Sequence, residues 1–385
     1  MKITEVREIA VRMSGNIANA VVDFSRHDVS LVALISNVIR DGKPVTGIAF
    51  NSIGRFAQTG IIRDRLIPRI LEASPEEYGV DGTISPSALA KIMLRNEKPG
   101  GHGDRASAIA ALELAAWDLK AKLAGEPAYR TIAQSFGRTP SERVSVYAAG
   151  GYYYPGDGPA RLQEELQNYR DKGFTKFKIK VGGVPARDDI ARLEAAIGVA
   201  GSGSNISVDA NGRFDEASAI DLGNTLKPFG LRWYEEAGDP LDFDLNRRVI
   251  EAYQGPVATG ENLFSVLDVQ NLLRHGGMRP GIDVFQMDAG LSYGLTEYSR
   301  MIELMEAHGM DRTMAYPHGG HMLNLHIVAG LNLGGCEAYP AVFEPFGGYS
   351  SDLTIDDGEI GLPETPGFGL EAKSELAPWI EKLLS

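Results

Sequence analysis

The chain has 385 residues, and its 38 Lys and Arg against 51 Asp and Glu leave a formal net charge of −13 at pH 7. This acidic balance disfavours nucleic acid and anionic membranes as partners and leaves a small-molecule substrate as the expected ligand. Cys336 is the only cysteine in the sequence, which excludes intrachain disulfides and thiolate metal clusters.

The N-terminal residues MKITEVREIAVRM mix charged and apolar residues and lack the continuous apolar core of a signal peptide. No segment reaches the roughly 18 consecutive apolar residues that a membrane span requires. We therefore expect a cytoplasmic protein without a membrane partner, and we also expect a homo-oligomer.

The first 50 residues are predicted to be extended, because Asp28–Arg40 is rich in β-branched residues and Asp41-Gly42 is a turn signal before Pro44–Phe50. Three helical segments follow, at 61–73, 85–95 and 106–123. Strands followed by helices predict a separate α+β domain over residues 1–135.

From about residue 140, short β-branched or aromatic runs alternate with helical stretches. The eight candidate strands are Val144–Ala148, Lys176–Val181, Ile206–Ala210, Leu231–Glu235, Val257–Glu261, Ile282–Met287, Thr313–Tyr316 and Cys336–Tyr339. The intervening helices are predicted to begin near Pro159, Ala186, Glu216, Asp242, Ser265, Thr296 and His321. Eight βα units predict a closed parallel barrel over residues 136–355. A doubly wound open sheet is disfavoured because no Gly-rich fingerprint follows the first strand. Residues 356–385 are too short for a domain and are expected to pack back on the first one.

Three successive predicted strands end in an acid: Asp209, Glu235 and Glu261. Their spacing is one βα unit each, so the three carboxylates should meet at the C-terminal face of the barrel, where they would repel one another without a cation. Carboxylate oxygens suit Mg²⁺. The alternative is that each acid caps the helix that follows it.

The second strand reads Lys176-Phe177-Lys178-Ile179-Lys180-Val181, which places its lysines on one face. Strands of parallel sheets are usually buried on both faces, so either this is a solvated edge strand or Lys178 and Lys180 point into the barrel mouth. In the second case a divalent cation and a neighbouring ammonium would both disfavour protonation, and one lysine could act as a base.

The seventh strand leads into His318, which should face the lysines across the barrel mouth. Asp288 ends the sixth strand and could hold the imidazole in one tautomer and raise its pKa, making His318 a general acid. His321 is a competitor for this role, but it begins the next helix. Glu337 in the eighth strand could hydrogen-bond a substrate oxygen if it is protonated.

In chain order the strand ends carry Lys-x-Lys, Asp-Ala-Asn, Glu-Glu, Gly-Glu-Asn, Asp and His. This order resembles the mandelate racemase branch of the enolase superfamily, as do the helix ALELAAWDLKAKLAG (111–125) and Pro366-Gly367-Phe368-Gly369. The resemblance covers essentially the whole chain. It implies a modified (β/α)7β TIM-type barrel with an N-terminal α+β capping domain.

The resemblance also implies a Mg²⁺-dependent dehydratase, in which the metal held by the three carboxylates stabilises an enediolate. Lys180, aided by Lys178, would take the α-proton of the substrate. His318, held by Asp288, would protonate the β-hydroxyl so that it leaves as water. The expected substrate is a hydroxy diacid, with D-tartrate giving oxaloacetate as the most specific expectation.

Cap residues are expected to set specificity. Asn51 and Lys98 lie in predicted cap loops, and Lys98 could pair with the distal carboxylate of a diacid, although both could be ordinary solvated loop residues. The segment Ser14–Asn19 is a candidate lid.

Three other functions remain open: a dehydratase of another acid sugar, a racemase of α-hydroxy acids, and a non-catalytic metal-binding protein. The non-catalytic protein would be expected to lose a lysine, His318 or Asp288, and all are present.

Overall fold

The computed structural model describes residues 1–15, 17–154 and 158–385. The strands are β1 Ile3–Arg12, β2 Asp28–Arg40, β3 Lys43–Phe50, β4 Gly79–Val80, β5 Thr83–Ile84, β6 Arg143–Ala149, β7 Phe177–Lys180, β8 Ile206–Asp209, β9 Trp233–Glu235, β10 Val257–Thr259, β11 Val284–Phe285, β12 Cys336–Ala338, β13 Ile355–Asp356 and β14 Glu359–Gly361.

The α-helices are α1 Thr59–Ile61, α2 Ile67–Glu72, α3 Pro75–Tyr78, α4 Pro86–Met93, α5 Asp104–Ala124, α6 Ala128–Ser135, α7 Pro159–Asp171, α8 Ala186–Ala200, α9 Glu216–Leu226, α10 Phe243–Tyr253, α11 Val266–His275, α12 Leu295–Ala307, α13 Met322–Leu331 and α14 Ala377–Leu384. A π-helical turn, Ile62–Leu66, joins α1 to α2. Across the described ranges, no helix combines the length and apolar character needed to cross a membrane.

The N-terminal part is an antiparallel sheet, β1-β2-β3, covered by helices. The predicted turn between β2 and β3 is present, because Asp41 and Gly42 both have positive φ, at 51° and 75°. Helix α5 lies directly against β3, and a Cβ on Gly47 would stand 2.1 Å from the carbonyl oxygen of Ala115. Most residues of α5 are buried.

The second part is the predicted barrel. Strands β6 to β11 pair in parallel in chain order, and β12 pairs in parallel with β6, which closes the ring. Seven helices, α7 to α13, alternate with these strands and begin within one residue of the predicted positions. The fold class predicted from the sequence, a (β/α)7β barrel with an α+β cap, is therefore confirmed.

The seventh strand differs from the prediction. Within Thr313–Tyr316, the first residues belong to a 3-10 turn, Arg312–Met314, and only Ala315 forms a bridge, to Phe285 of β11. The carboxylate of Asp311 causes this by accepting hydrogen bonds from the backbone and hydroxyl of Thr313, which favours a turn over an extended chain.

Two buried carboxylates of α5 connect the parts of the molecule. Glu113 accepts hydrogen bonds from the backbone of Leu295 and Thr296, at the start of α12 in the barrel. Asp118 accepts from the backbone of Ile48 in β3 at 2.8 Å and of Phe368 near the C-terminus at 2.6 Å. Helix α5 therefore joins the cap sheet, the barrel and the C-terminal segment.

The C-terminal segment contacts both parts. Strands β13 and β14 form a hairpin, and β14 pairs with the first residues of β6 in the barrel. Helix α14 then packs on β1 and β2 of the cap. The domain boundaries near residues 135 and 355 remain a prediction.

Candidate active site

Three acids meet at the C-terminal ends of adjacent barrel strands. Asp209 and Glu235 are the last residues of β8 and β9 and are paired in register, and Glu261 lies two residues beyond β10. One oxygen from each carboxylate lies within 4.8 Å of the others. The parallel register predicts this convergence, because it brings equivalent strand ends to one edge. We call Asp209, Glu235 and Glu261 the carboxylate triad.

The two inward lysines of β7 are bound to this triad. Lys180 Nζ lies 2.5 Å from Asp209 Oδ2, and Lys178 Nζ lies 2.7 Å from Glu235 Oε1. Both lysines are buried, so the possibility of a solvated edge strand is excluded for these two side chains. A buried ion pair of this kind has to be matched closely in charge, because water cannot compensate an unpaired ion.

The charges of these groups follow from burial and pairing. Burial alone would raise the pKa of Asp209, but Lys180 and Lys178 outweigh it and lower that pKa to about 2. Burial and the neighbouring Asp209 raise the pKa of Glu235 to about 8, against the opposing effect of Lys178. The pKa values of both lysines are raised, because their carboxylate partners outweigh the effect of burial. In this arrangement neither lysine is the neutral base expected from the sequence.

His318 lies at the other end of the triad. Its Nε2 is 3.9 Å from Glu261 Oε2, and its Nδ1 is 3.1 Å from Asp288 Oδ2. Burial opposes the charged imidazolium, but Glu261, the hydrogen bond to Asp288 and Glu337 raise the pKa of His318 to about 9. Asp288 is itself held by the backbone N–H of Gly290 at 2.8 Å. The pairing of Asp288 with His318 that the sequence suggests is present, and together with Glu261 it favours the protonated imidazole.

Glu337 points inward from β12, as expected. Its protonation state differs from the expected one. Its Oε1 lies 2.7 Å from Lys178 Nζ, and its Oε2 accepts a hydrogen bond from the backbone of Gly319 at 2.8 Å. Burial raises the pKa of Glu337, yet Lys178 and His318 outweigh burial and the net shift is downward. The expectation that a protonated Glu337 donates to substrate is therefore corrected to an ionised Glu337 that shares Lys178 with Glu235.

His321, the competitor of His318, has a different environment. It is the N-cap of α13, where Nδ1 accepts from the backbone of Asn324 at 3.4 Å, and its Nε2 lies 3.1 Å from the hydroxyl of Ser52. Burial lowers the pKa of His321 to about 4. The imidazole of His321 is therefore neutral. It contacts Ser52 of the cap loop and caps the first turn of α13.

The cap loop that contains Asn51 lies over the barrel mouth, but Asn51 does not face the triad. Its Oδ1 accepts from the backbone of Ser30 at 2.7 Å, and its Nδ2 donates to Ser107 and to the carbonyl of Phe56. These contacts occupy both the oxygen and the nitrogen of the Asn51 side-chain amide. Asn51 therefore stabilises the conformation of the loop, and the geometry does not support its predicted contact with substrate. Its neighbour Ser52 instead reaches the histidine side of the site.

Lys98 is exposed, in a loop that is anchored at two points. Glu97 forms ion pairs with Arg65, with Arg69 at 2.8 Å and with Arg105 at 3.2 Å. Arg105 also donates to the hydroxyl of Tyr293, in the segment between β11 and α12. Within residues 1–15, 17–154 and 158–385, the Lys98 ammonium has no ion-pair partner. The structure does not join Lys98 to the triad, and its role as a substrate ligand stays a prediction.

The candidate lid, Ser14–Asn19, includes position 16, which lies outside the described residues. The backbone of Ser14 donates to the carbonyl of Glu344 at 2.7 Å, and Tyr153 donates to the carbonyl of Ala18 at 2.9 Å. Tyr153 follows β6 and Glu344 follows β12, so the two ends of the segment touch loops beyond the C-terminal ends of barrel strands. Its function as a lid stays a prediction.

Several polar residues that orient the triad were missing from the sequence-based set. The indole of Trp233 and the amide of Gln286 each donate to Glu235 Oε2 at 2.8 Å. Asn211 donates to both oxygens of Asp209, and Asn262 lies 3.5 Å from Glu261. Only the two asparagines had a sequence signal, because they follow a proposed metal ligand closely in Asp-Ala-Asn and Glu-Asn.

The triad fits a hard divalent cation. Its donors are all carboxylate oxygens, which Mg²⁺ prefers. Lys180 and Lys178 contact Asp209 and Glu235. In the part of the chain that the structure describes, the cationic nitrogen nearest to Glu261 is Nε2 of His318, at 3.9 Å. The three ligands available for a metal would thus be Asp209, Glu235 and Glu261.

A family model described as enolase C-terminal domain-like matches residues 161–376. The chain belongs to the enolase superfamily. A curated relative, 3,6-anhydro-alpha-L-galactonate cycloisomerase of Streptomyces coelicolor, is 31% identical over 94% of this chain and 93% of its own length. L-Talarate/galactarate dehydratase of Salmonella typhimurium is 27% identical over 91% and 83%, and arabinonate dehydratase of Saccharolobus solfataricus is 28% identical over 70% and 71%.

Two solved structures share the architecture of the chain over nearly its whole length. L-Talarate dehydratase from Polaromonas sp. JS666, complexed with Mg and L-glucarate, aligns with a TM-score of 0.77 at 24% identity, covering 98% of this chain and 97% of that chain. A racemase from Streptomyces coelicolor A3(2) with bound magnesium aligns with a TM-score of 0.77 at 23% identity, covering 98% of both chains. At these identities the likeness establishes the fold of barrel and cap.

The raised pKa of Glu235 makes Mg²⁺ uptake dependent on pH. Below pH 8 most molecules carry a proton on Glu235, and the cation has to displace it. We therefore expect proton release on Mg²⁺ binding at pH 7, and an apparent affinity that rises with pH until about 8. Titration calorimetry in two buffers of different ionisation enthalpy measures the released protons. Glu235→Gln, the matched control, should bind more weakly and lose this pH dependence; binding without proton release in the unmodified protein would contradict the expectation.

Proposed function

We propose that this member of the enolase superfamily is a Mg²⁺-dependent dehydratase of a hydroxy diacid, and that its reaction converts D-tartrate to oxaloacetate. The observation that carries the proposal is the placement of two proton-transfer groups on one triad. Lys180 contacts Asp209 at 2.5 Å and His318 approaches Glu261 at 3.9 Å. A base and an acid at the two ends of one metal site suit the removal of a proton and a hydroxyl from adjacent carbons.

Asp209, Glu235 and Glu261 would hold the cation. Bound Mg²⁺ supplies positive charge that stabilises the carboxylate of the substrate as negative charge develops on it. Trp233 and Gln286 keep Glu235 oriented through its second oxygen, which leaves the first oxygen turned toward Lys178 and the centre of the site.

Lys180 would take the α-proton at Nζ, which requires the neutral amine. The ammonium is now favoured by the oxygen of Asp209. When that oxygen binds a cation instead, the same carboxylate stabilises the ammonium less, and the nearby Lys178 charge disfavours it further. Lys178, shared between Glu235 and Glu337, remains charged and assists by orienting the carboxylates.

His318 would act second. It is protonated at neutral pH and held through Nδ1 by Asp288, so its Nε2 proton is available for the departing β-hydroxyl. The C–O bond breaks with its electron pair on oxygen, the proton from Nε2 completes a water molecule, and the remaining enol tautomerises to the keto acid. For tartrate this product is oxaloacetate.

The choice of a diacid depends on Lys98. Its loop is held at Glu97 by three arginines and through Arg105 to Tyr293 of the barrel, whereas the ammonium itself is exposed. A four-carbon diacid has a second carboxylate beyond the metal, and leaving that anion unpaired in a closing site is costly. An anchored loop that presents one unpaired cation supports recognition of such an anion.

The relatives support the class of reaction more than the individual substrate. Their names include dehydratases of arabinonate, talarate or galactarate, and galactonate, all hydroxy acids. The 31% identical cycloisomerase also acts on a sugar acid. A dehydratase of another acid sugar is therefore the nearest alternative to the tartrate reaction.

A screen of hydroxy diacids and monocarboxylic acid sugars with Mg²⁺, read out by keto-acid formation, tests the proposal. We expect turnover of D-tartrate, and loss of turnover in Glu235→Gln with the thermal unfolding midpoint largely kept, because one ligand loses its charge while the packing stays. Turnover of a different acid sugar would correct the substrate, and inversion at the α-carbon without keto acid would indicate a racemase. Full activity of Glu235→Gln would show that the triad is not the metal site.

Solvent hydrogen exchange separates the two proton-transfer groups. In D₂O, Lys180→Ala should neither dehydrate the substrate nor exchange its α-hydrogen, since the base is absent. His318→Asn should still exchange the α-hydrogen while it fails to expel water. ¹H NMR of recovered substrate and a keto-acid assay measure the two events, and the reverse pattern would exchange the two roles.

Lys98→Ala tests recognition of the second carboxylate. We expect KM for the diacid to rise by about 10- to 100-fold, as for the loss of an ionic hydrogen bond of about 1.5–3 kcal/mol. A monocarboxylic acid sugar, if it is turned over, should be affected far less. Lys91→Ala, an exposed lysine on α4, is the matched control. Equal effects on both substrates, or none on the diacid, would place Lys98 in solvent and remove the argument for a dicarboxylate.

A further inference from the structure

The residue after β12, Tyr339, brings a second polar group to the imidazole of His318. Its hydroxyl oxygen lies 3.2 Å from His318 Nε2, while Nδ1 of the same ring is bound to Asp288 at 3.1 Å. Tyr339 is 3% exposed. The two ring nitrogens of His318 are thus held from opposite edges, one by a carboxylate and one by a phenol.

The phenol of Tyr339 is fixed by its aromatic surroundings. Its ring packs edge-on against Phe343 at 4.9 Å between centroids. Phe343 also contacts Phe24 of the cap at 4.9 Å and Tyr152, after β6, at 5.7 Å. Ring pairs with this geometry are favourable beyond their buried area. The hydroxyl of Tyr339 is therefore presented at one place and does not swing freely.

The backbone beyond Tyr339 supports this position at some conformational cost. Ala341 and Phe343 both have positive φ, at 65° and 60°, in the left-handed region that residues other than glycine rarely adopt. This conformation returns the ring of Phe343 onto Tyr339. Non-glycine residues in the left-handed region tend to cluster at functional sites, where the surrounding structure maintains them.

We propose that Tyr339 is a positioning residue that holds the Nε2 edge of His318 in the orientation needed to protonate the leaving hydroxyl. The inference rests on the proposed function, because it concerns the acid of that reaction. In the free site the Tyr339 hydroxyl and Nε2 of His318 are in hydrogen-bond contact, and Asp288 binds Nδ1, so the plane of the ring is set before substrate binds. During loss of water the ring then transfers its Nε2 proton to the substrate hydroxyl.

If Tyr339 positions His318, its removal should affect the loss of water and not the removal of the α-proton. Lys180 removes the α-proton without help from Tyr339, whereas loss of water needs the correctly oriented imidazolium. Loss of the Tyr339 hydroxyl should slow the second step and let the deprotonated substrate return to Lys180 more often. A general loosening of the site would slow both steps together.

Tyr339→Phe removes the hydroxyl and keeps the ring. In D₂O with Mg²⁺ and the substrate found in the screen, we expect the ratio of α-deuterated substrate to keto acid to rise by about 10-fold, the effect of one ordinary hydrogen bond. KM should change little. Tyr253→Phe, which alters a buried tyrosine of α10 on the outer layer, is the control and should leave the ratio unchanged. An unchanged ratio in Tyr339→Phe overturns the proposal.

A second measurement does not depend on activity. In protein labelled with ¹⁵N-histidine and free of substrate, the His318 resonances are assigned by their loss in His318→Asn. We expect Tyr339→Phe to shift the Nε2 resonance and to speed exchange of its proton with water, while the Nδ1 resonance, held by Asp288, changes less. Unchanged His318 resonances overturn the proposal. If the unmodified protein turns over no hydroxy acid but the Nε2 shift is observed, the proposed function fails while the contact itself stands.

Discussion

The structure depends most on how it balances negative charge in the mouth of the barrel. Three buried carboxylates, those of Asp209, Glu235 and Glu337, lie around Lys178 and Lys180, and Glu261 lies beside them next to His318. Unit charges in such surroundings interact far more strongly than in water, and an unmatched ion would be destabilising. Lys178 contacts Glu235 and Glu337 at 2.7 Å each, so it joins carboxylates from two sides of the barrel. Reaction chemistry and barrel stability therefore draw on the same ion pairs.

This charge balance also explains why both proton-transfer groups are protonated, the state that an acid needs and that a base does not. The carboxylates favour the charged form of every cation near them. For His318, which would donate a proton, the effect favours the required form, and Asp288 and Glu337, which lie outside the triad, contribute to it together with Glu261. For Lys180, which would accept one, it has to be relieved, and a divalent cation on Asp209 is the means that the donor set suits. The metal would thus set the charge of the base as well as stabilise the substrate.

The cap domain places its loops over the mouth of the barrel. Helix α5 is attached to the barrel through Glu113 and to the C-terminal segment through Asp118, so the cap loops are held over the barrel mouth. Ser52 touches His321, a Cβ at Gly54 would lie 4.0 Å from Cε1 of His318, and Phe24 joins the aromatic cluster around Tyr339 through Phe343. These contacts of the cap loops therefore lie on the histidine side of the site and not at the triad.

Strand periodicity and the spacing of βα units are local properties, and they were enough to predict the barrel and the cap sheet. They also predicted the convergence of the three acids and a shared face for the lysines, with helix capping and a solvated edge strand as alternatives. The pairing of His318 with Asp288 was predicted from the ends of the expected sixth and seventh strands. Contacts between segments far apart in the chain exist only in the folded molecule. They set the ionised state of Glu337, through Lys178 on another strand, and the orientation of Asn51, through Ser30 and Ser107. They also bring Tyr339 to His318. The turn at Thr313, formed around the Asp311 carboxylate, was likewise invisible to periodicity. Protonation and orientation depend on the sum of neighbours in three dimensions, and no local pattern contains that sum.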